Sequence, residues 1–76
     1  MDINFLNRIE INPKVLCGKP IIKGTRISVE LILEKLAEGY TFDEIMKEYD
    51  IERNGIKAAI FYAQKIIANE KILEAV

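Results

Sequence analysis

Residues 41–60 read TFDEIMKEYDIERNGIKAAI, two short amphipathic segments that meet at a tight corner with the spacing of a helix-turn-helix. Few local patterns restrict a fold so narrowly. Thr41 and Glu44 are placed as a capping box, in which the hydroxyl accepts from the Glu44 amide and the carboxylate accepts from the Thr41 amide. Tyr40 and Ile45 stand at the two positions of a hydrophobic staple, and Asp43 and Glu44 put negative charge at the positive end of the helix dipole. Ile45, Met46 and Tyr49 give this helix a narrow apolar face, and Asp50, which tolerates a left-handed backbone, ends it. Ile51 is the apolar plug expected in the turn. Glu52 takes the cap position of the next helix, where Ser or Thr would serve better. From there Ile56, Ala59, Ile60, Ala63, Ile66 and Ile67 keep a helical period, predicting a long, half-buried last helix. The bland alternative is an ordinary helical hairpin in a small bundle.

Upstream, Ser28 is a good cap. Val29, Ile32, Leu33 and Leu36 form the buried stripe of a first helix that stops at Gly39, while Leu31 falls on the opposite side. Before it, Arg8, Ile9, Glu10 and Ile11 alternate polar and apolar as a short strand does, and Asn12-Pro13 marks a turn. The following VLCGKPIIKGTRI has Gly18, Pro20 and Gly24 as breakers around two β-branched pieces, an extended ribbon with a glycine turn. So small a β element must pair with the first strand, lie across the helices, or be completed by a second chain. The chain therefore reads as a single mainly α domain over residues 1–76, with a β ribbon at 7–27 and a three-helix helix-turn-helix at 28–69. Ile72 and Leu73 would be unexpected on a free tail and are expected to make a contact, such as one between subunits.

Size and composition favour a binding module over an enzyme. A chain of 76 residues buries only about 60 to 65% of its unfolded surface, with little room for a deep substrate cavity. There is no histidine and a single cysteine, Cys17, which excludes histidine-based triads, a Cys-His pair, zinc sites of the usual ligands and an internal disulfide. No catalytic residue, metal or cofactor is expected. With no signal peptide and no membrane-spanning apolar run, a cytoplasmic location is the default expectation. Asp43, Glu44, Glu48 and Asp50 form a carboxylate cluster, but two of them already serve the helix start. Gly18-Lys19 through Gly24-Thr25 lacks the Gly-Lys-Ser/Thr ending of a phosphate loop.

The net charge of −1 argues against nucleic acid, since phosphate contacts leave a basic footprint. Distribution matters more than the sum, and Arg53, Lys57 and Lys65 line the last helix. Opposite its core side it carries Asn54, Lys57, Ala58, Phe61 and Lys65, with Arg53 beside the opening turn. Arg53 and Asn54 have the chemistry to read guanine and adenine edges; Lys57, Lys65 and Lys47 would hold phosphates, and Thr41, at a helix N-terminus, is a further phosphate contact. The bland reading is a solvated face. Gly55, costly inside a helix, implies close approach of another backbone. Phe61 on a wet face exposes apolar area for a partner, or is buried under the N-terminal ribbon. Ile9, Ile11, Ile21 and Ile22 of the ribbon, with Leu31, are the other candidates for partner or dimer contact.

The segments GKPIIKGTRISV (18–29), LAEGYT (36–41) and IKAAIFYA (56–63) resemble the domain of unknown function 433 family of prokaryotes over roughly residues 9–68. The resemblance implies a homeodomain-like three-helix fold with an N-terminal β extension, often dimeric. It also implies an antitoxin of the VapB type, a DNA-binding autoregulator that neutralises a PIN-like ribonuclease encoded beside it. Gly18, Pro20, Gly24, Thr25 and Arg26 match its motif and are expected to hold the ribbon's shape. Glu52 departs from the Ser or Thr that usually opens the last helix, and its charge would repel a phosphate. The alternative is a protein-interaction or dimerisation module that keeps the corner as scaffold and binds no DNA.

Overall fold

The computed structural model describes residues 3–69. A 3-10 helix, Ile3–Arg8, leads into strand β1 (Ile9–Ile11); a 3-10 turn at Leu16–Gly18 precedes strand β2 (Pro20–Ile22). Helices α1 (Val29–Ala37), α2 (Phe42–Tyr49) and α3 (Arg53–Asn69) follow. The domain is mainly α with a short N-terminal ribbon, as the sequence leads one to expect. Residues 70–76, with Ile72 and Leu73, lie outside the described residues.

Local chemistry sets the helix boundaries. The Ser28 hydroxyl accepts from the Leu31 amide at 2.9 Å and caps α1. At the other end Gly39 is left-handed (φ 100). Its amide donates to the Leu36 carbonyl and that of Tyr40 to the Lys35 carbonyl, both at 3.0 Å, which satisfies two carbonyls the helix would otherwise orphan. The Thr41–Glu44 capping box is formed in both directions, at 3.1 and 2.8 Å. Asp50 ends α2 in the left-handed region at φ 54, and Ile51 is buried between the helices. The turn of Asp50, Ile51 and Glu52 is the short connection a helix-turn-helix requires.

The strands pair antiparallel, Ile9 opposite Ile22 and Ile11 opposite Pro20, and an isolated bridge joins Ile21 to Ser28. Gly24 (φ 79) turns the chain after β2. Thr25 locks that turn, donating its hydroxyl to the Ile22 carbonyl at 2.7 Å and accepting from the Ile27 amide at 3.0 Å. Pairing puts Ile22 into the core with Val29, Ile32, Ile45, Ile51, Ile56 and Ala59. The ribbon thus both pairs with itself and lies across the helices.

Four expectations need correction. Ile21 and Ile22 are 2% and 6% exposed, so these two ribbon isoleucines, candidates for partner contact, are spent on the chain's own interior. Ala58, assigned to the outer side of the last helix, is buried too, and for Phe61 the alternative of burial holds, beneath the N-terminal arm rather than the ribbon. The 3-10 helix Ile3–Arg8, for which no expectation was drawn, packs against α3, and the Phe5 ring meets the Phe61 ring edge-on with centroids 6.4 Å apart. Conversely Ile66 and Ile67, which continue the apolar period, are 42% and 60% exposed. Their period persists beyond the partner that would cover it: at 1.5 Å per residue α3 runs about 25 Å while α1 runs about 13 Å. The close approach to Gly55 is also not a backbone. A Cβ there would meet the Ile22 side chain at 3.4 Å.

Candidate interaction surface

Two surfaces compete for a functional role, and the first is the outward side of α3. Asn54, Lys57 and Lys65 are exposed along it, and no carboxylate occurs in α3. Arg53 is engaged: its Nη2 donates to Asp43 Oδ1 at 2.6 Å and its guanidinium lies 5.6 Å over the Phe42 ring. Thr41 has both its hydroxyl and its amide committed to the capping box. Lys47 is exposed on α2.

On a wheel of 3.6 residues per turn, Phe61 lies between Lys57 and Lys65. The Lys65 ammonium sits 5.3 Å over its ring, while Phe5 covers it from the N-terminal arm. Arg8, at the end of that arm, donates to Glu52 Oε1 at 3.0 Å, so the carboxylate expected at the cap of α3 ties the arm to the corner instead. The cations therefore flank a covered strip of helix. A recognition helix enters the major groove on such a strip, with side chains there reaching base edges.

The second surface lies where α3 outruns α1. Leu33, Ala63, Ile66 and Ile67, with Tyr62, Val29 and Pro20, line an open depression of about 300 Å³. A second one, lined by Leu33, Ile60, Ala63, Gln64, Ile67 and Ala68, lies across the same ridge. Among the described residues the only charges lining either are Lys19 and Glu30, and they pair at 2.9 Å. Hydrogen bonding to Glu30, reinforced by its charge, raises the Lys19 pKa. Sequence reasoning assigned this face to the core; its exposure depends on helix lengths in space.

Of the remaining candidates, Ile9 and Leu31 are half-buried and Ile11 is 58% exposed. Leu31 lines a shallow, mixed-charge depression with Arg26, Glu30, Glu34 and the exposed Cys17. Gly18, Gly24 and Thr25 shape the ribbon, Pro20 opens β2, and Arg26 points no hydrogen bond into the fold among the described residues. Charge is segregated: residues 29–52 carry eight carboxylates and two lysines, whereas α3 carries only cations. Among the described residues no group of three or more His, Cys, Asp or Glu could hold a metal ion, and no helix is long and apolar enough to cross a membrane.

No curated protein matches the chain. Among solved structures, it is similar to a DUF433 member protein from Anabaena variabilis ATCC 29413, at 26% identity and a TM-score of 0.72. The match covers 91% of this chain and 66% of that one, so the chain spans just under two thirds of that protein's length. The model of the family described as protein of unknown function (DUF433) matches residues 9–63. This interval holds the ribbon, all of α1 and α2, and the part of α3 that packs on them, and the chain belongs to the DUF433 family.

Proposed function

We propose that this chain is a non-catalytic protein-interaction module in which the helical corner serves as scaffold. The observation that carries the reading is that Ala58 and Phe61 are buried and that the N-terminal arm packs on α3 with Phe5 against Phe61, which narrows the strip of α3 that a major groove would need. Arg53 and Thr41, two of the groups suited to DNA, are internally satisfied. The unsatisfied apolar surface lies elsewhere, on the α1–α3 face, and exposed isoleucines grouped on one face favour a protein partner. Small size and the absence of histidine support a role without chemistry. Within this reading the partner implied by the family resemblance is a PIN-like ribonuclease, the chain acting as its antitoxin.

A second reading, autoregulation by binding operator DNA, draws on one observation: Asn54, Lys57 and Lys65 are exposed on a helix without carboxylates. Gel shifts on DNA from the chain's own promoter, over a series of salt concentrations, separate the two. The interaction-module reading expects only weak retardation, indifferent to sequence and lost as salt rises. Sequence-selective retardation at physiological salt, abolished in Lys57→Ala/Lys65→Ala, would replace it with the DNA-binding reading.

A further inference from the structure

The N-terminal arm Ile3–Arg8 lies on the fold as an addition to it. Its Phe5 ring meets Phe61 outside the isoleucine-rich core that β2 and the three helices share, and the family match begins only at Ile9, where the arm has ended. A 3-10 helix of six residues has poor hydrogen-bond geometry and needs a surface to lie on. Phe5 and Leu6 are only half-buried against that surface. The ion pair from Arg8 to Glu52 at 3.0 Å has side chains 43% and 79% exposed, and pairs so exposed hold little. Such a contact opens locally while the rest of the domain stays folded. What it covers has a definite chemistry. Asn54, Lys57, Phe61 and Lys65 fall on one face of α3, the Lys65 ammonium lies 5.3 Å over the Phe61 ring, and no carboxylate occurs in the helix. An aromatic ring between lysines suits the major groove of duplex DNA: the ring meets thymine methyl groups, the Asn54 amide reaches adenine, and the lysines meet phosphates.

We propose that the arm is an autoinhibitory cover: docked, it hides the Phe61 strip and leaves the chain the interaction module described above; undocked, it exposes a DNA-binding face on α3. The inference goes beyond the interaction-module reading, which concerns the docked state. Phe5→Ser removes the clasp and leaves the helices folded, which circular dichroism verifies. With the arm undocked in roughly 1 to 10% of unmutated molecules, Phe5→Ser tightens binding roughly 10- to 100-fold. The assay is a gel shift of the full chain on a duplex from its own promoter, and Lys57→Ala/Lys65→Ala in the Phe5→Ser background is expected to cancel the gain. Arg8→Ala is the second variant, and it decides the matter if Phe5→Ser does not fold. It takes a cation away, so charge alone would weaken binding, whereas loosening the arm strengthens it severalfold. Unchanged binding in Phe5→Ser overturns the proposal. So does a gain that survives Lys57→Ala/Lys65→Ala, or binding in Arg8→Ala that is equal or weaker. Sequence-selective binding by the unmutated chain that Phe5→Ser raises further keeps the cover and sinks the interaction-module reading; the same binding left unraised sinks both.

Discussion

If the N-terminal arm closes the outer side of α3, then Phe61 is a core residue, and its removal must be felt in stability before any binding is tested. Phe61 is 7% exposed, and its ring stands at 67° to that of Phe5 with centroids 6.4 Å apart. Phe61→Leu removes three carbons, and at about 0.8 kcal/mol per buried methylene the loss is about 2 kcal/mol. The whole domain, at 0.05 to 0.15 kcal/mol per residue, has about 4 to 11 kcal/mol to lose, so the variant still folds. Its Tm should fall by about 8 to 16 °C, since each kcal/mol is worth about 4 to 8 °C in a domain of this size. Urea unfolding of Phe61→Leu, Phe5→Leu and the double variant then isolates the pair. An edge-on aromatic pair contributes about 0.5 to 1.5 kcal/mol beyond area burial, and the double-mutant cycle should return a coupling in that range. A solvent-facing Phe61, poised for DNA, would behave like a surface residue, with a change within about 0.5 kcal/mol. That result, or a coupling of zero, refutes the closed arm and with it the case against the recognition helix.

Three further outcomes follow from local geometry. Thr41→Ala removes the acceptor at 3.1 Å from the Glu44 amide and should cost about 0.5 to 2 kcal/mol in urea unfolding, with no change in the α1 boundary. Gly55→Ala places a methyl at ordinary contact with Ile22, 3.4 Å away, and removes a helix-averse glycine. It should therefore raise stability by up to about 1 kcal/mol, and a measurable loss would mean that β2 sits closer to α3 than described. Stability should also fall on the alkaline side. Lys19 is raised by its hydrogen bond to Glu30 and by that carboxylate's charge, Lys35 by the charge of Glu38, and the Tyr49 phenol by burial and by Glu48. Each group holds its proton more tightly folded than unfolded, so each contribution is intact below the unfolded pKa near 10 and is lost as pH rises through the folded value. Thermal melts from pH 8 to 11.5 should show Tm falling only above about pH 10, and a Tm that rises there would contradict the sign.

The legible part of this protein is the part governed by neighbours in sequence. A capping box, a left-handed Asp50 and a Gly39 stop are short-range transactions between backbone and side chain, and all are present where the residues placed them. The ribbon was legible for the same reason, because Gly24 and Thr25 close its turn within four residues. The functional surface was not. Periodicity assigned Ile66 and Ile67 to an interior, where the fold leaves them exposed, and left Phe61 open between a wet face and burial, where the fold chose burial. The missed signal for Phe61 was a second unexplained aromatic, Phe5, lying more than fifty residues away.

Residue order alone thus determined where α1 and α2 begin and end, because the hydrogen bonds at their termini close over three or four residues and do not depend on the rest of the chain. Only the tertiary arrangement decided which side of α3 faces water. Hydrophobic burial is non-directional and is satisfied by whichever apolar surface arrives. For Phe61 that surface was a 3-10 helix from the far end of the chain, and for Ile66 and Ile67 the start of α1, at Val29 and Leu33, borders the face without covering it.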